Sequence, residues 1–377
     1  MNYFTLLIKP VSAVCNLDCK YCFYKRAINV FEKKDNYLMS DEVLRNMISK
    51  YLGLGFRENA FGWQGGEPTV AGLDFFEKIV KYQMEYGTTG QIVSNSLQTN
   101  GVLIDDNWGD FLNEYKFLVG LSLDGPQEIH DFYRVDYSNK GSFKAVMNAA
   151  DKLIKHNVEF NILTVLTEYN YDKAEIMYDF FIKNGFRFLQ FIPTLEVDET
   201  TNKIRDFTIK PAHYLKFLKD LFDIWYERGF PEVSIRTFDS ILSYYVDGIQ
   251  LICPFMKECN SYLVIEHNGD VFPCDFFVYK EWTIGNIVSD DYEDIRKSEK
   301  YLKFVKMKTE VNDKCRNCKW FNMCYGDCTK FRIFQNRSPK SISYFCPAWK
   351  EFFQYSHSRF KKLADQVIEY RKNNGFV

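Results

Sequence analysis

The chain has 377 residues, 46% of them hydrophobic and 18% aromatic, enough to bury one large core with a smaller domain beside it. A net charge of -2 lacks the basic surplus that a broad grip on nucleic acid or an anionic lipid surface requires, so neither is expected as a partner. No apolar run is long enough to span a membrane, and MNYFTLLIKP has neither the basic start nor the cleavage site of a secretion signal, so a cytoplasmic protein with reduced cysteines is expected. From Tyr3 to Ile192, strand-like runs (YFTLLIK, NAFGWQ, QIVSNSLQ, KFLVGLSL, VEFNILTVL, FRFLQFI) alternate with amphipathic helical runs. Ser40 followed by Asp41 and Glu42 marks one helix start, and FFEKIVKYQMEY, FKAVMNAADKLIKH and AEIMYDFFIKN carry the helical period. Six such units fit an α/β fold with an open parallel barrel. Residues 196–210 read as a polar linker or surface loop, HYLKFLKDLFDIWYE as a helix, and Cys253 to Cys346 as short turn-rich segments too irregular for a conventional core and held by metal. Residues 349–372 predict a closing helix.

Eleven cysteines at tight spacings in a reducing compartment point to metal ligation rather than to disulfides. Cys15, Cys19 and Cys22, in CNLDCKYC, put three thiols on one loop, which suits three corners of an iron-sulfur cube and leaves the fourth iron without a protein ligand. The competing reading is a zinc site completed by a distant histidine, but the chain has only five and none near this loop. Cys315, Cys318, Cys324 and Cys328 form C-x2-C-x5-C-x3-C, with Cys253, Cys259, Cys274 and Cys346 around it; C-x2-C is also zinc-ribbon vocabulary. Eight thiolates would saturate two four-iron clusters, giving eleven ligands for about twelve iron sites.

The spacing C-x3-C-x-aromatic-C, with Tyr21 as the aromatic residue, resembles the signature of the radical SAM superfamily. The resemblance implies a partial (β/α)6 barrel whose open iron is chelated by S-adenosyl-L-methionine. It extends to Gly65-Gly66-Glu67-Pro68 after the second strand, where glycine lets backbone approach a ligand closely; alone, GGEP is equally a turn. Ser122, Arg134 and the loop around Leu195 match positions that contact the ribose and carboxylate of the cofactor in similar members of this superfamily, and Tyr24 and Gln64 are further pocket residues or ordinary packing. Asp124, in LSLDGP, reads equally as a turn residue and as a functional group at a strand end.

The later cysteines resemble the SPASM extension. That resemblance implies two auxiliary 4Fe-4S clusters, three in all, with Cys253, Cys259, Cys274 and Cys328 on the first auxiliary cluster and Cys315, Cys318, Cys324 and Cys346 on the second. A core domain over residues 1–235 and a SPASM domain over 236–377 follow. Longer stretches, among them LLIKP, QGGEPTVAGL, SLQTNGVLID, KFLVGLSLDGPQEIH and GDVFPCDFF, resemble the anaerobic sulfatase-maturating enzymes from Leu6 to Cys346. This implies oxidation of a Cys, or a Ser, in an unfolded sulfatase segment of the Cys-x-Pro-x-Arg type to Cα-formylglycine. A 5′-deoxyadenosyl radical would remove the Cβ hydrogen, and an electron donor such as flavodoxin or ferredoxin would serve the clusters. Asp275, beside Cys274, falls on the position of the family's general base; the bland reading is a turn aspartate bonded to nearby backbone. A related maturase forming thioether or carbon-carbon crosslinks is the alternative, as is a zinc-stabilised binding protein.

Overall fold

TLLIK alternates half-buried and buried side chains and forms strand β1 (Thr5–Lys9) in the computed structural model, which describes residues 3–31 and 37–375. The chain divides into two units, one built from Met1–Leu123, His130–Asn161 and Cys259–Val305, the other from Asp124–Ile129, Ile162–Glu258 and Lys306–Val377.

In the first unit β1 pairs in parallel with β2 (Glu58–Trp63), β2 with β3 (Ile92–Thr99), and β3 with β4 (Leu118–Ser122). Parallel neighbours need a crossover, and the helices Asp41–Leu52, Leu73–Tyr86 and Asp106–Glu114 provide it. Two of them start on side-chain caps, the expected Ser40, whose Oγ accepts from Val43 N at 3.3 Å, and Asp105, whose Oδ1 accepts from Trp108 N at 3.0 Å. Phe4, Tyr51 and Phe61 meet in tilted and edge-to-face ring contacts under the sheet, the quadrupole-favoured geometry for a dry aromatic core.

In the second unit β5 (Phe160–Leu166, paired from Ile162 onward), β6 (Phe188–Pro193) and β7 (Ser234–Ile235) are likewise parallel. The final helix, Cys346–Asn373, lays Phe352 and Phe360 against Phe222 and Phe238 of the helices Pro211–Arg228 and Arg236–Asp247. The 196–210 stretch is a bridged loop rather than a plain linker: Val197 pairs with Ile204 and Thr208 with Thr167, and Glu196 forms an ion pair with Lys330.

The cysteine-rich region departs from the expected picture of turns held only by metal. YLVIE forms β8 (Tyr262–Glu266), parallel to β1 on the edge away from β2, with Leu7 opposite Val264 and Lys9 opposite Glu266. Strands β9 (Asp270–Phe272) and β10 (Gly285–Asn286) continue it antiparallel, and Val264, Ile265 and Phe272 are fully buried. The region therefore contributes a sheet-borne core of its own. Five apolar-rich residues between turn signals carry no periodicity, and the partner strand lies more than 250 residues earlier, so local pattern could not reveal the pairing.

Candidate active site

The loop carrying Cys15, Cys19 and Cys22 is fixed from two sides within the first unit. Gly66 N donates to Ser12 O at 2.7 Å and Glu67 N to Val14 O at 2.8 Å, so GGEP lies backbone to backbone against the start of the loop. A Cβ on Gly66 would sit 2.0 Å from Val14 O, and Gly65 has φ +139, which explains both glycines without invoking a ligand. From the other side Asp18 N donates to Val135 O at 2.7 Å and Lys20 N to Tyr133 O at 3.0 Å. Arg134 stacks over the Tyr21 ring at 5.4 Å, and both are buried.

Glu67 points inward and ties the ends of β2 and β3 together. Its carboxylate accepts from Thr69 N and Oγ1, from Thr99 Oγ1 at 2.7 Å and from Asn100 N at 2.7 Å, and burial raises its pKa while these bonds lower it. Asn100 in turn donates to Asn16 Oδ1 at 2.7 Å and lies 3.6 Å from Cys15 Sγ. Burial pushes the Cys15 thiol up to about 12, and the neighbouring charges of Glu67, Cys19 and Cys22 add to the shift. Three thiols close enough to repel one another as thiolates are a donor set that a cationic iron cluster would stabilise.

At the carboxyl ends of β1 and β2 lies a buried polar array. Lys9, wholly buried, donates from Nζ to Gln64 Oε1 at 2.7 Å, sits 4.4 Å above the Tyr24 ring and lies 3.9 Å from Asp275 Oδ2. Gln64 Nε2 passes a hydrogen bond on to Gln98 Oε1 at 2.8 Å. The Tyr24 hydroxyl donates to Glu266, which is fully buried on β8 and also receives His267 Nδ1 at 3.2 Å. Tyr262 donates to Asp275 Oδ1 at 3.2 Å, with its hydroxyl 3.1 Å from Cys274 Sγ. Burial pulls the Lys9 ammonium below the usual lysine value, opposed by Asp275 and then Glu266; it pushes the Tyr24 phenol well above its usual value, with Glu266 adding to the effect. Asp275 is 9% exposed and Ser122, at the end of β4, 8%.

Four of the singled-out residues, Tyr24, Gln64, Asp275 and Cys274, are thus brought into one neighbourhood. Lys9, Gln98, Glu266 and Tyr262 complete it and were not singled out as site residues from the sequence. The signal available was a charged residue closing each of two otherwise apolar strands, TLLIK and YLVIE. Asp124 accepts from Val165 N at 2.9 Å in the second unit, a structural use of its carboxylate.

The second unit holds Leu195, 1% exposed just after β6, and Cys253, which opens a short 3-10 turn. It also contains a cavity of ≈ 500 Å³ lined by Cys315, Cys318, Cys324 and Cys346, with Trp320 and Trp349 among its walls. A single water needs only about 10–15 Å³, so this is room for a prosthetic group. Burial pushes Cys324 up to about 12 and Cys346 up to about 11. Cys346 opens the final helix, whose N-terminal dipole favours a thiolate. Between Cys324 and Cys328 the residues Tyr325, Gly326 and Asp327 all adopt positive φ, a tight left-handed turn. Lys308, also wholly buried, holds that turn by donating to Asp327 O at 2.7 Å and Pro254 O at 2.8 Å. Cys259 and Cys274 fall in the first unit, Cys253 and Cys328 in the second. Among the described residues no group of three or more His, Cys, Asp or Glu side chains converges in a way that suits a single metal ion.

Comparison with known proteins places these features in a family. Residues 10–181 match the Radical SAM superfamily and residues 253–319 the SPASM iron-sulfur cluster-binding domain. The chain is 40% identical over 365 residues to a cysteine-type anaerobic sulfatase-maturating enzyme of Clostridium perfringens, covering 96% of this chain and 99% of that one. It is 33% identical over 367 residues to a serine-type anaerobic sulfatase-maturating enzyme of Bacteroides thetaiotaomicron, covering 93% and 88%. The solved structure of native anSMEcpe with bound AdoMet and Cp18Cys peptide superposes with a TM-score of 0.90 at 39% identity, covering 97% of this chain and 100% of that one. The chain belongs to the anaerobic sulfatase-maturating enzymes, radical SAM proteins with a SPASM domain.

Proposed function

We propose that the protein oxidises a cysteine in an unfolded sulfatase segment of the Cys-x-Pro-x-Arg type to Cα-formylglycine, with Asp275 as the group that takes the substrate thiol proton. The observation that carries this reading is the setting of Asp275: beside Cys274, bonded to Tyr262 through Oδ1, and with Oδ2 facing Lys9 at 3.9 Å, beyond hydrogen-bond range. One carboxylate oxygen is thereby anchored while the other keeps a lone pair for a proton, which a turn aspartate bonded to backbone would not.

The residues present fit the groups the family uses. Cys15, Cys19 and Cys22 would hold the 4Fe-4S cluster that works with S-adenosyl-L-methionine, and Gly65, Gly66, Glu67, Tyr21, Ser122 and Arg134 would frame that cofactor. When bound, this pair supplies the one-electron chemistry that removes a hydrogen atom from the substrate Cβ. The chain's own residues supply the rest: Asp275 accepts the proton, and the buried array around Lys9 keeps bulk water from the carboxylate. Loss of one hydrogen atom, one proton and one electron turns the cysteine side chain into a thioaldehyde, which water hydrolyses to the aldehyde. The eight later cysteines would hold two further clusters able to take the electron onward.

The Cys-type assignment is supported by the higher identity to the cysteine-type relative, 40% against 33%. No helix among the described residues is long and apolar enough to cross a membrane, and we assign the protein to the cytoplasm with a flavodoxin or ferredoxin as its reductant. The test incubates anaerobically reconstituted enzyme, cofactor and reductant with Cys-type and Ser-type peptides and looks for aldehyde by mass. Aldehyde from the Cys peptide is expected; 5′-deoxyadenosine without peptide oxidation overturns the reading. Asp275→Asn is expected to keep its iron and lose aldehyde formation by about 10²–10⁴-fold, and full activity in that variant removes Asp275 from the role.

A further inference from the structure

We propose that Lys9 is a positioning residue for the reaction, setting the Asp275 carboxylate and the Gln64 amide together from the end of β1. The inference rests on Asp275 being the proton acceptor and goes beyond it by naming what holds that acceptor.

Its basis is the chemistry of the donor. A lysine ammonium has three hydrogens and no acceptor, so the oxygen of Gln64, not its nitrogen, must face Lys9 at 2.7 Å. The amide nitrogen is then committed to donating, and it does so to Gln98 Oε1 at 2.8 Å. Lys9 therefore fixes the sense of a hydrogen-bond chain running across β1, β2 and β3, and a side chain able to accept as well as donate would leave that sense open.

Toward Asp275 the same ammonium works differently. At 3.9 Å it offsets the carboxylate's charge without consuming its lone pairs, while Tyr262 fixes the other oxygen. A direct bidentate bridge would hold the group more firmly and spoil it as a proton acceptor. The Tyr24 ring, 4.4 Å below the ammonium, closes the remaining side, and its hydroxyl is committed to Glu266.

A purely structural role predicts something else: Lys9 would merely compensate Glu266, its register partner on β8, and removing it would cost stability without changing the chemistry of molecules that still fold. The two roles separate in the ratio of 5′-deoxyadenosine released to aldehyde formed, counted per iron-loaded molecule.

The experiment uses the reconstituted full chain as Lys9→Met, Lys9→Gln, Asp275→Asn and the double variant Lys9→Met with Asp275→Asn. Iron content, thermal unfolding and peptide affinity by fluorescence anisotropy accompany the kinetics. Lys9→Met is expected to lower kcat for aldehyde about 100-fold, with peptide affinity changed far less, and to raise the ratio of 5′-deoxyadenosine to aldehyde. Lys9→Gln, which keeps a donor for Gln64 but no charge, falls between Lys9→Met and the unmodified protein. The double variant is no slower than Asp275→Asn alone, because both remove the same step. An unchanged ratio in iron-loaded Lys9→Met, or additive losses in the double variant, overturns the inference. So does loss of iron and folding in both single Lys9 variants, which returns Lys9 to a structural role. If Asp275→Asn is fully active, the reading of Asp275 falls; if it is inactive and Lys9→Met is not impaired, only the inference about Lys9 falls.

Discussion

Among the described residues each of the two units buries one lysine completely, and the two are used in opposite ways. Lys308 donates to two main-chain carbonyls, Pro254 O and Asp327 O, groups whose positions are set by the chain trace. Among the described residues Lys9 addresses side chains, Gln64, Asp275 and the Tyr24 ring. A buried cation satisfied by backbone stabilises a turn, here the one between Cys324 and Cys328. A buried cation satisfied by side chains sets the direction and charge of groups that can react. Burial and charge alone would class the two lysines together, and the partner atoms separate them.

The largest expected effect in the Lys9 region comes from Gly66→Ala. A methyl 2.0 Å from Val14 O cannot be absorbed by side-chain movement, so the loop with the three thiols must shift. A loss of about 3 kcal/mol is expected by denaturant unfolding, together with the iron of the first site. Normal iron loading in this variant would mean that the loop is not held by the glycine pair.

Lys308→Met comes next. Two buried carbonyls lose their donor at about 1–3 kcal/mol each, so unfolding should move by several degrees, with iron lost chiefly from the four-thiol cavity. Iron analysis beside calorimetry checks it. The comparison breaks if this variant keeps its iron and stability but uncouples the chemistry as Lys9→Met is expected to.

Ser343→Ala is a milder test of the same turn. Its hydroxyl donates to Asp327 Oδ2 at 2.6 Å inside the second unit, and Asp327 keeps its bond from Cys328 N at 2.7 Å. About 1–2 kcal/mol is expected, read from the unfolding midpoint.

The parallel strands and most of their helices were legible because they carry their own period and, for one helix, its own cap, Ser40. The cysteine spacings were legible because ligand geometry requires short loops. What stayed hidden is held by distant partners. The strand YLVIE shows no period and pairs with residues at the other end of the chain. Lys9 and Glu266 become informative only once the register sets them side by side. The glycines of GGEP were legible as a close approach, and the structure shows one such approach, to the backbone of the neighbouring loop.

The smallest expected effect serves as a control at a side chain that bonds neither lysine. His156 bonds Asp106 Oδ1 through Nε2 and Asp110 Oδ1 through Nδ1, both at 2.8 Å. The Asp106 hydrogen bond, then Asp110, raises its pKa against the pull of desolvation. A raised folded-state pKa means that the imidazolium's contribution is complete below the ordinary histidine value of about 6.5 and fades as pH rises through the folded value. An NMR titration should place His156 above that ordinary value and Asp106→Asn should lower it, with no change in aldehyde yield in either case.

The pairing of β1 with β8 also orders events during synthesis. Thr5 bonds Ser261 across a separation of 256 residues, so the outer edge of the first strand waits for its neighbour until most of the protein has been made. At about 5–20 residues per second that wait lasts on the order of 10–50 s. Throughout it Lys9 lacks Glu266 and Asp275. The buried polar array around Lys9 is therefore completed only after residues 262–275 have been made.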